Sequence, residues 1–264
     1  MDIIDITWGQ LAISAVILII PALILWKYQT GLLKKMGVAV VRMTLQLIFV
    51  GYYLEYLFQY DNPWLNIAWI IIMVIVADFA TIDRSELRRN RKLIISLFAA
   101  TFLGIIVIDL FFLKFVIQLP NILAAQYAIP ITGMVLGNCL RSNVIGINEF
   151  YYSIYEHKER YRFYLANGAK QKEALFPFFR TALKKSANPT LASMATIGLV
   201  SLPGMMTGQI LSGSSPLIAI KYQIMIMLAI FSGTILSVYL GISFSSKFAF
   251  DNRNNLDKTI LKKD

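Results

Sequence analysis

One cysteine and one histidine, Cys139 and His157, occur in 264 residues. A single cysteine excludes an intrachain disulfide, and so little thiol and imidazole excludes a Cys/His metal cluster built within one chain. Cys139 therefore reads as a small apolar packing residue. Charge is scarce too: Asp, Glu, Lys and Arg make up 15% of the chain, against roughly a quarter in a soluble domain. There is no Gly-x-x-x-x-Gly-Lys-Ser/Thr loop, no His-Glu-x-x-His and no Gly-x-Ser-x-Gly. The sequence thus offers no phosphate cradle, no zinc-protease helix and no serine nucleophile elbow. Neither catalysis nor a cofactor of its own is expected. A retinal protein would need a lysine deep in its last helix, and Lys221 lies only at the outer end of that helix.

Apolar residues are abundant: 57% of the chain is hydrophobic and the mean hydropathy is +0.63. They fall into seven blocks, Trp8–Trp26, Val38–Phe58, Trp64–Ile82, Leu93–Phe112, Ile122–Leu140, Thr190–Leu211 and Tyr222–Phe244. A bilayer core needs about 20 apolar residues per helix, so each block predicts a membrane span. The first block follows an acidic start, Met1-Asp2-Ile3-Ile4-Asp5, and lacks a small-residue cleavage pattern, so it reads as a retained span and not a signal peptide. The expected fold is all-α and polytopic, one transmembrane domain over residues 1–264 with seven helices.

Net charge is +10, but its distribution carries more meaning than its sum, and no nucleic-acid partner is expected. With seven spans, all but Arg42, Lys114 and Lys221 of the 25 basic residues fall on one side. These include Lys27, Lys34 and Lys35, then Arg84 to Lys92, then nine between Arg141 and Lys185, and the tail lysines and Arg253. Cytoplasmic loops collect Lys and Arg, which puts the N-terminus outside and the C-terminus in the cytoplasm. One long cytoplasmic loop, about 141–189, reads as helices over Glu149–Asn167 and Gln171–Ser186, broken at Asn167-Gly168.

Polar residues within spans are costly and often functional. Arg42, Gln46, Tyr53 and Tyr56 share one face of the second helix. They form either a pathway stripe or, for Arg42, a side chain snorkelling to the headgroups. Asp78 lies at a depth similar to that of Arg42 and could pair with it, whereas Glu55 and Asp109 read as interfacial. In the sixth block Pro203 predicts a kink. Gly204 and Gly208 offer a small-x-x-x-small face for close helix approach. Ser201, Met205, Gln209 and Ser212 fall on one stripe, which lines a pathway or packs against a neighbour.

The run Leu202-Pro203-Gly204-Met205-Met206-Thr207-Gly208-Gln209-Ile210-Leu211 resembles the iron-export ABC permease family, the FetB type, and plant aluminium-tolerance ABC permeases are similar. The resemblance extends to Gly213, Pro216 and Lys221–Ile224, to Gln46-Leu47 with Gly51-Tyr52, to Pro130–Asn138, and to Ala166-x-Gly168-Ala169-x-x-x-Glu173-Ala174. It implies a permease in a bacterial-type plasma membrane, paired as a homodimer in lipid and driven by ATP on a separate ATP-binding subunit. The loop holding Ala166, Gly168, Ala169 and Glu173 resembles the coupling element that docks on the ATPase. The family has Ser or Thr where this chain has Lys170, which weakens the helix cap with Glu173. Export of a nucleotide-sugar or other organic solute, and an orphan seven-helix receptor, remain the alternative readings. Iron comes from the resemblance alone, since Met205 and Met206 are sparse metal ligands.

Overall fold

A computed structural model describes residues 5–251, 254–257 and 260–262. The acidic start at residues 1–4 and the tail residues Arg253, Lys258 and Lys263 lie outside the described residues. Every regular element among those described is helical, and strand-like pairing is limited to isolated bridges. Five helices are long and apolar enough to cross a bilayer: Trp8–Lys27, Leu33–Tyr60, Pro63–Arg84, Arg91–Val116 and Pro216–Ala249. The chain is an all-α, multi-pass membrane protein.

The chain divides into two compact units, Met1–Tyr60 with Leu211–Gly213, and Asp61–Ile210 with Ser214–Asp264. In the first, α1 (Trp8–Ser14) is capped by Thr7, whose hydroxyl accepts the Gln10 N–H while Gln10 Oε1 accepts the Thr7 N–H. A 3-10 turn, Ala15–Leu18, joins α1 to α2 (Ile19–Lys27). Pro21 explains that turn: it has no N–H for the Ile17 carbonyl, and its ring crowds the preceding turn. The long helix α3 (Leu33–Tyr60) follows. No residue of the most apolar stretch of either span is buried, and apolar side chains project on every side, as they do on helices that meet lipid or a partner.

The second unit is built on α4 (Pro63–Arg84), α5 (Arg91–Leu110), α6 (Ala125–Glu156), α7 (Lys158–Ala166), α8 (Gln171–Thr196), α9 (Gly204–Leu211, all but its last residue) and α10 (Pro216–Ala249). Asn62 caps α4 ahead of Pro63, and Asn90 caps α5. A π-helical turn, Phe111–Val116, extends α5 beyond its predicted end at Phe112. Side-chain pairs fix the packing. Asn143 meets Ser237 and Tyr151 meets Ser245, each 94 residues apart, so α6 and α10 run parallel. Ser142 reaches the Ser186 carbonyl and Phe150 packs on Phe179, so α8 runs antiparallel to α6.

Two apolar cores result. One joins α4, α5, α6 and α10 around Val74, Ile105, Val135, Cys139 and Ile226. The other gathers Phe150, Tyr151, Tyr161, Phe178 and Ile242 with Leu87 and Leu261 at the basic end. Helices α6 and α10 hold 32 and 34 residues, on the order of 50 Å. They overrun an apolar slab about 30 Å thick, and their ends form the second core with α7 and α8. The tail returns to this end: the Arg88 N–H donates to the Ile260 carbonyl at 2.7 Å, and Lys262 Nζ donates to the Ser85 carbonyl at 2.6 Å.

The sixth predicted block departs from expectation. It is not one kinked helix but two elements separated by a non-helical link. Helix α8 runs through the predicted boundary near Pro189 to Thr196, and α9 begins only at Gly204. Gly198 between them has φ +86°, and its N–H donates to the Ser201 carbonyl at 2.9 Å. Pro203 disfavours a helical conformation at Leu202 and lacks a donor itself, so the run breaks where a kink was expected. The predicted loop helix over 149–167 is likewise divided, at His157.

Candidate functional site

Arg42 and Gln46 lie one turn apart on α3, both exposed, and line a shallow groove with Gly37, Val38, Val41 and Leu45. They share a face, as their spacing predicted. Ser201 does not share a helical stripe with Met205 and Gln209, because it sits exposed in the link before α9. Met205 and Gln209 are one turn apart on α9 and half-buried, and Met205 packs on the core of α4, α5, α6 and α10. Met206 is buried, as a packing residue should be.

Gly204 and Gly208 do not serve close helix approach within the chain. A Cβ added at either would meet nothing within 4 Å. The close approaches lie elsewhere. At Gly146 a Cβ would stand 2.6 Å from Val238 Cγ1 and 3.3 Å from Ser186 Cβ, and at Gly233 it would stand 2.7 Å from Val135 Cγ1. These glycines let α6, α8 and α10 nest. Both also stand in small-x-x-x-small spacing, Ser142 with Gly146 and Ala229, Gly233, Ser237 and Gly241 along α10, which the sequence reading did not single out.

The loop between α7 and α8 forms as expected. Ala166 ends α7, and Gly168 takes φ +86°, the left-handed stop that glycine adopts without steric cost. Ala169 donates its N–H to the Tyr164 carbonyl at 3.1 Å. Glu173 accepts the Lys170 backbone N–H at 2.8 Å. The reciprocal half of a capping box needs an acceptor side chain at position 170, and an ammonium has none. Phe163 and Phe176, on either side of this loop, are 64% and 66% exposed, and Phe163 meets the Tyr164 ring edge-on.

The largest surprise is polar and internal. Asp109, read from the sequence as interfacial, is buried in the bundle, where α6 packs on it. It accepts a hydrogen bond from Thr132 Oγ1 at 2.5 Å. Asp78, buried on α4, accepts one from Thr101 Oγ1 at 2.8 Å, so its partner in this unit is a neutral hydroxyl. The expected Arg42–Asp78 pair would join the two units. Further along the same helices the Asn143–Ser237 and Tyr151–Ser245 bonds, 2.8 and 2.6 Å, continue the line of buried polar pairs.

Residues 8–250 match the uncharacterised protein family UPF0014. The chain is 32% identical to UPF0014 membrane protein YjkA of Bacillus subtilis, over 83% of this chain and 85% of that protein. It is 31% identical to the probable iron export permease protein FetB of Escherichia coli over 98% of both chains. It is 30% identical to the protein Aluminum Sensitive 3 of Arabidopsis thaliana, over 82% of this chain and 77% of that one. No solved structure matches the chain significantly. The match runs from the first span to the end of α10, and by it the chain belongs to the UPF0014 family of membrane proteins.

Proposed function

We propose that this protein is the membrane-spanning permease subunit of an ABC transporter that exports iron, working as a homodimer and driven by a separate ATP-binding subunit. The observation that carries the reading is the broken segment Ile197–Pro203 between α8 and α9. Helix α8 has 26 residues, about 39 Å of length. In a seven-span arrangement that starts from the basic end, a helix of this length would bring the break to bilayer depth. Non-helical backbone at that depth is tolerated where it lines water or protein, and it marks substrate paths in transporters. Alternating access by movement about this break fits a chain whose relative in Escherichia coli is named an iron export permease. The α7–α8 loop, turned at Gly168 and flanked by exposed Phe163 and Phe176, is suited to receive the ATPase.

In this reading α6 is the fifth span and α8, the link and α9 together make the sixth. The plasma membrane then holds seven crossings, with the N-terminus outside and the C-terminus in the cytoplasm. With Cys139 replaced, single cysteines at Asp61 and Ser214 should react with an impermeant thiol reagent in intact cells. Those at Lys170 and Asn254 should react only after lysis. Labelling at Lys170 from outside overturns this arrangement.

The transport test uses cells under iron load with the ATP-binding partner present. Gln209→Leu and Met205→Ala should raise cellular iron several-fold at unchanged membrane abundance. Met206→Leu keeps a flexible apolar side chain in a buried position and should export normally. Export at the parental rate by both of the first two variants would remove α9 from the path.

A further inference from the structure

Two carboxyl groups lie inside the core of the second unit, with no positive partner among the described residues of that unit. Asp78 on α4 is 2% exposed and Asp109 on α5 is 9% exposed. Each has one oxygen bonded to a neutral hydroxyl on the next helix, Thr101 for Asp78 Oδ1 and Thr132 for Asp109 Oδ2. The other oxygens, Asp78 Oδ2 and Asp109 Oδ1, are buried with no hydrogen-bond partner. Among the described residues neither carboxyl has an ion pair. The titratable group facing both is the Cys139 thiol of α6, within electrostatic reach of each. Among the described residues of the second unit, no Lys, Arg or His forms an ion pair with either.

A bare carboxylate in such a place is severely disfavoured, because burial removes its water and nothing replaces the lost solvation. Each site therefore requires a counter-charge. A divalent metal is a poor occupant, since each site offers one carboxyl and one hydroxyl. No group of three or more His, Cys, Asp or Glu is placed to hold a metal ion among the described residues. A proton needs only the partnerless oxygen.

We propose that Asp78 and Asp109 are proton-binding sites, each carrying a proton on its partnerless oxygen while the helices are closed and releasing it when the bundle opens to water. The O–H bond forms on Asp78 Oδ2 and Asp109 Oδ1, and the threonine hydroxyl keeps donating to the other oxygen. The sites lie at different depths. Thr101 and Asp109 are eight residues apart on α5, about 12 Å along its axis. Exchange of protons at two depths is the arrangement a proton-linked transporter uses. That link to transport rests on the permease reading, whereas proton binding does not.

The test is infrared difference spectroscopy of the full chain in phosphatidylcholine–phosphatidylglycerol nanodiscs at neutral pH, in H2O and D2O. Two deuterium-sensitive bands from protonated carboxyl C=O groups are expected, one lost in Asp78→Asn and the other in Asp109→Asn. Thr101→Val and Thr132→Val leave the carboxyls in place and should each shift one band to higher frequency, a signature of the lost hydrogen bond that loosened packing does not produce. If an Asn variant fails to accumulate, the matching Val variant decides, and an unshifted band counts against the site. Absence of both bands from the parent protein, or their persistence in both Asn variants, overturns the proposal. Loss of the bands on adding sodium or ferrous ion at constant pH also overturns it and assigns the sites to a metal cation. Bands that behave as expected in a protein that exports nothing beside any ATPase would leave the proton sites standing and remove the permease reading.

Discussion

Gly146→Leu should empty the membrane of folded protein. At this position α6 passes α8 and α10 so closely that even a Cβ would stand 2.6 Å from Val238 Cγ1 and 3.3 Å from Ser186 Cβ. A leucine adds three more carbons to a site that has no room for the first. Overpacking by far smaller groups costs about 1–3 kcal/mol, and one or two kcal/mol already changes a folded ratio by a factor of about 5–30. Membrane abundance by blot, and monodispersity in detergent, should both fall roughly tenfold or more. Gly146→Ala should show a smaller loss, and Val238→Ala should partly rescue it, because it removes the methyl group that the new Cβ strikes. The coupling of the two changes should reach the range of about 0.5–3 kcal/mol seen for residues in contact. Gly204→Ala, at a site where a Cβ meets nothing, should accumulate like the parent. Normal accumulation of Gly146→Leu would mean that the α6–α10 packing is wrong.

If the proposed permease reading holds, the Gly168→Val variant should reverse the pattern, with full membrane abundance and little iron export. Gly168 has φ +86° and open space around its missing side chain. A β-branched residue there meets no neighbour, so the packed cores keep their structure. The strain is local to the backbone, on the order of 1–3 kcal/mol, and is relieved by rearranging the turn that sets α7 against α8. Association with the ATP-binding subunit, read by copurification, should fall by about tenfold, the equivalent of 1.4 kcal/mol. Asparagine tolerates the left-handed region better than other side chains, so Gly168→Asn should keep most export and Gly168→Ala should fall between the two. A well-expressed Gly168→Val that exports normally would show that this loop does not couple ATP to the spans.

The sequence by itself determined what depends on local chemistry. The apolar blocks at Trp8, Val38, Trp64, Leu93 and Tyr222 became span-length helices, because a backbone in lipid must bond to itself and long apolar runs leave no alternative. The stop at Asn167-Gly168 was equally legible, since glycine is the residue that ends a helix in the left-handed region. Tertiary structure decided everything that depends on which faces meet. Pro203 announced an interruption, but whether it bent or broke the segment depended on the residues that precede it, and Gly198 and Leu202 left the helix as well. Gly204 and Gly208 have the spacing of a contact face and meet nothing within the chain, whereas Gly146 and Gly233, with the same spacing to Ser142, Ala229 and Ser237, are where α6, α8 and α10 nest; spacing alone does not say which small residues are used. The burial of Asp109 was not legible because it depends on Thr132 and the rest of α6 packing on it, not on where the apolar block ends. A carboxyl is interfacial or buried according to what packs on it, and the hydroxyls of Thr101 and Thr132 come from other helices, which no reading along one helix can bring together.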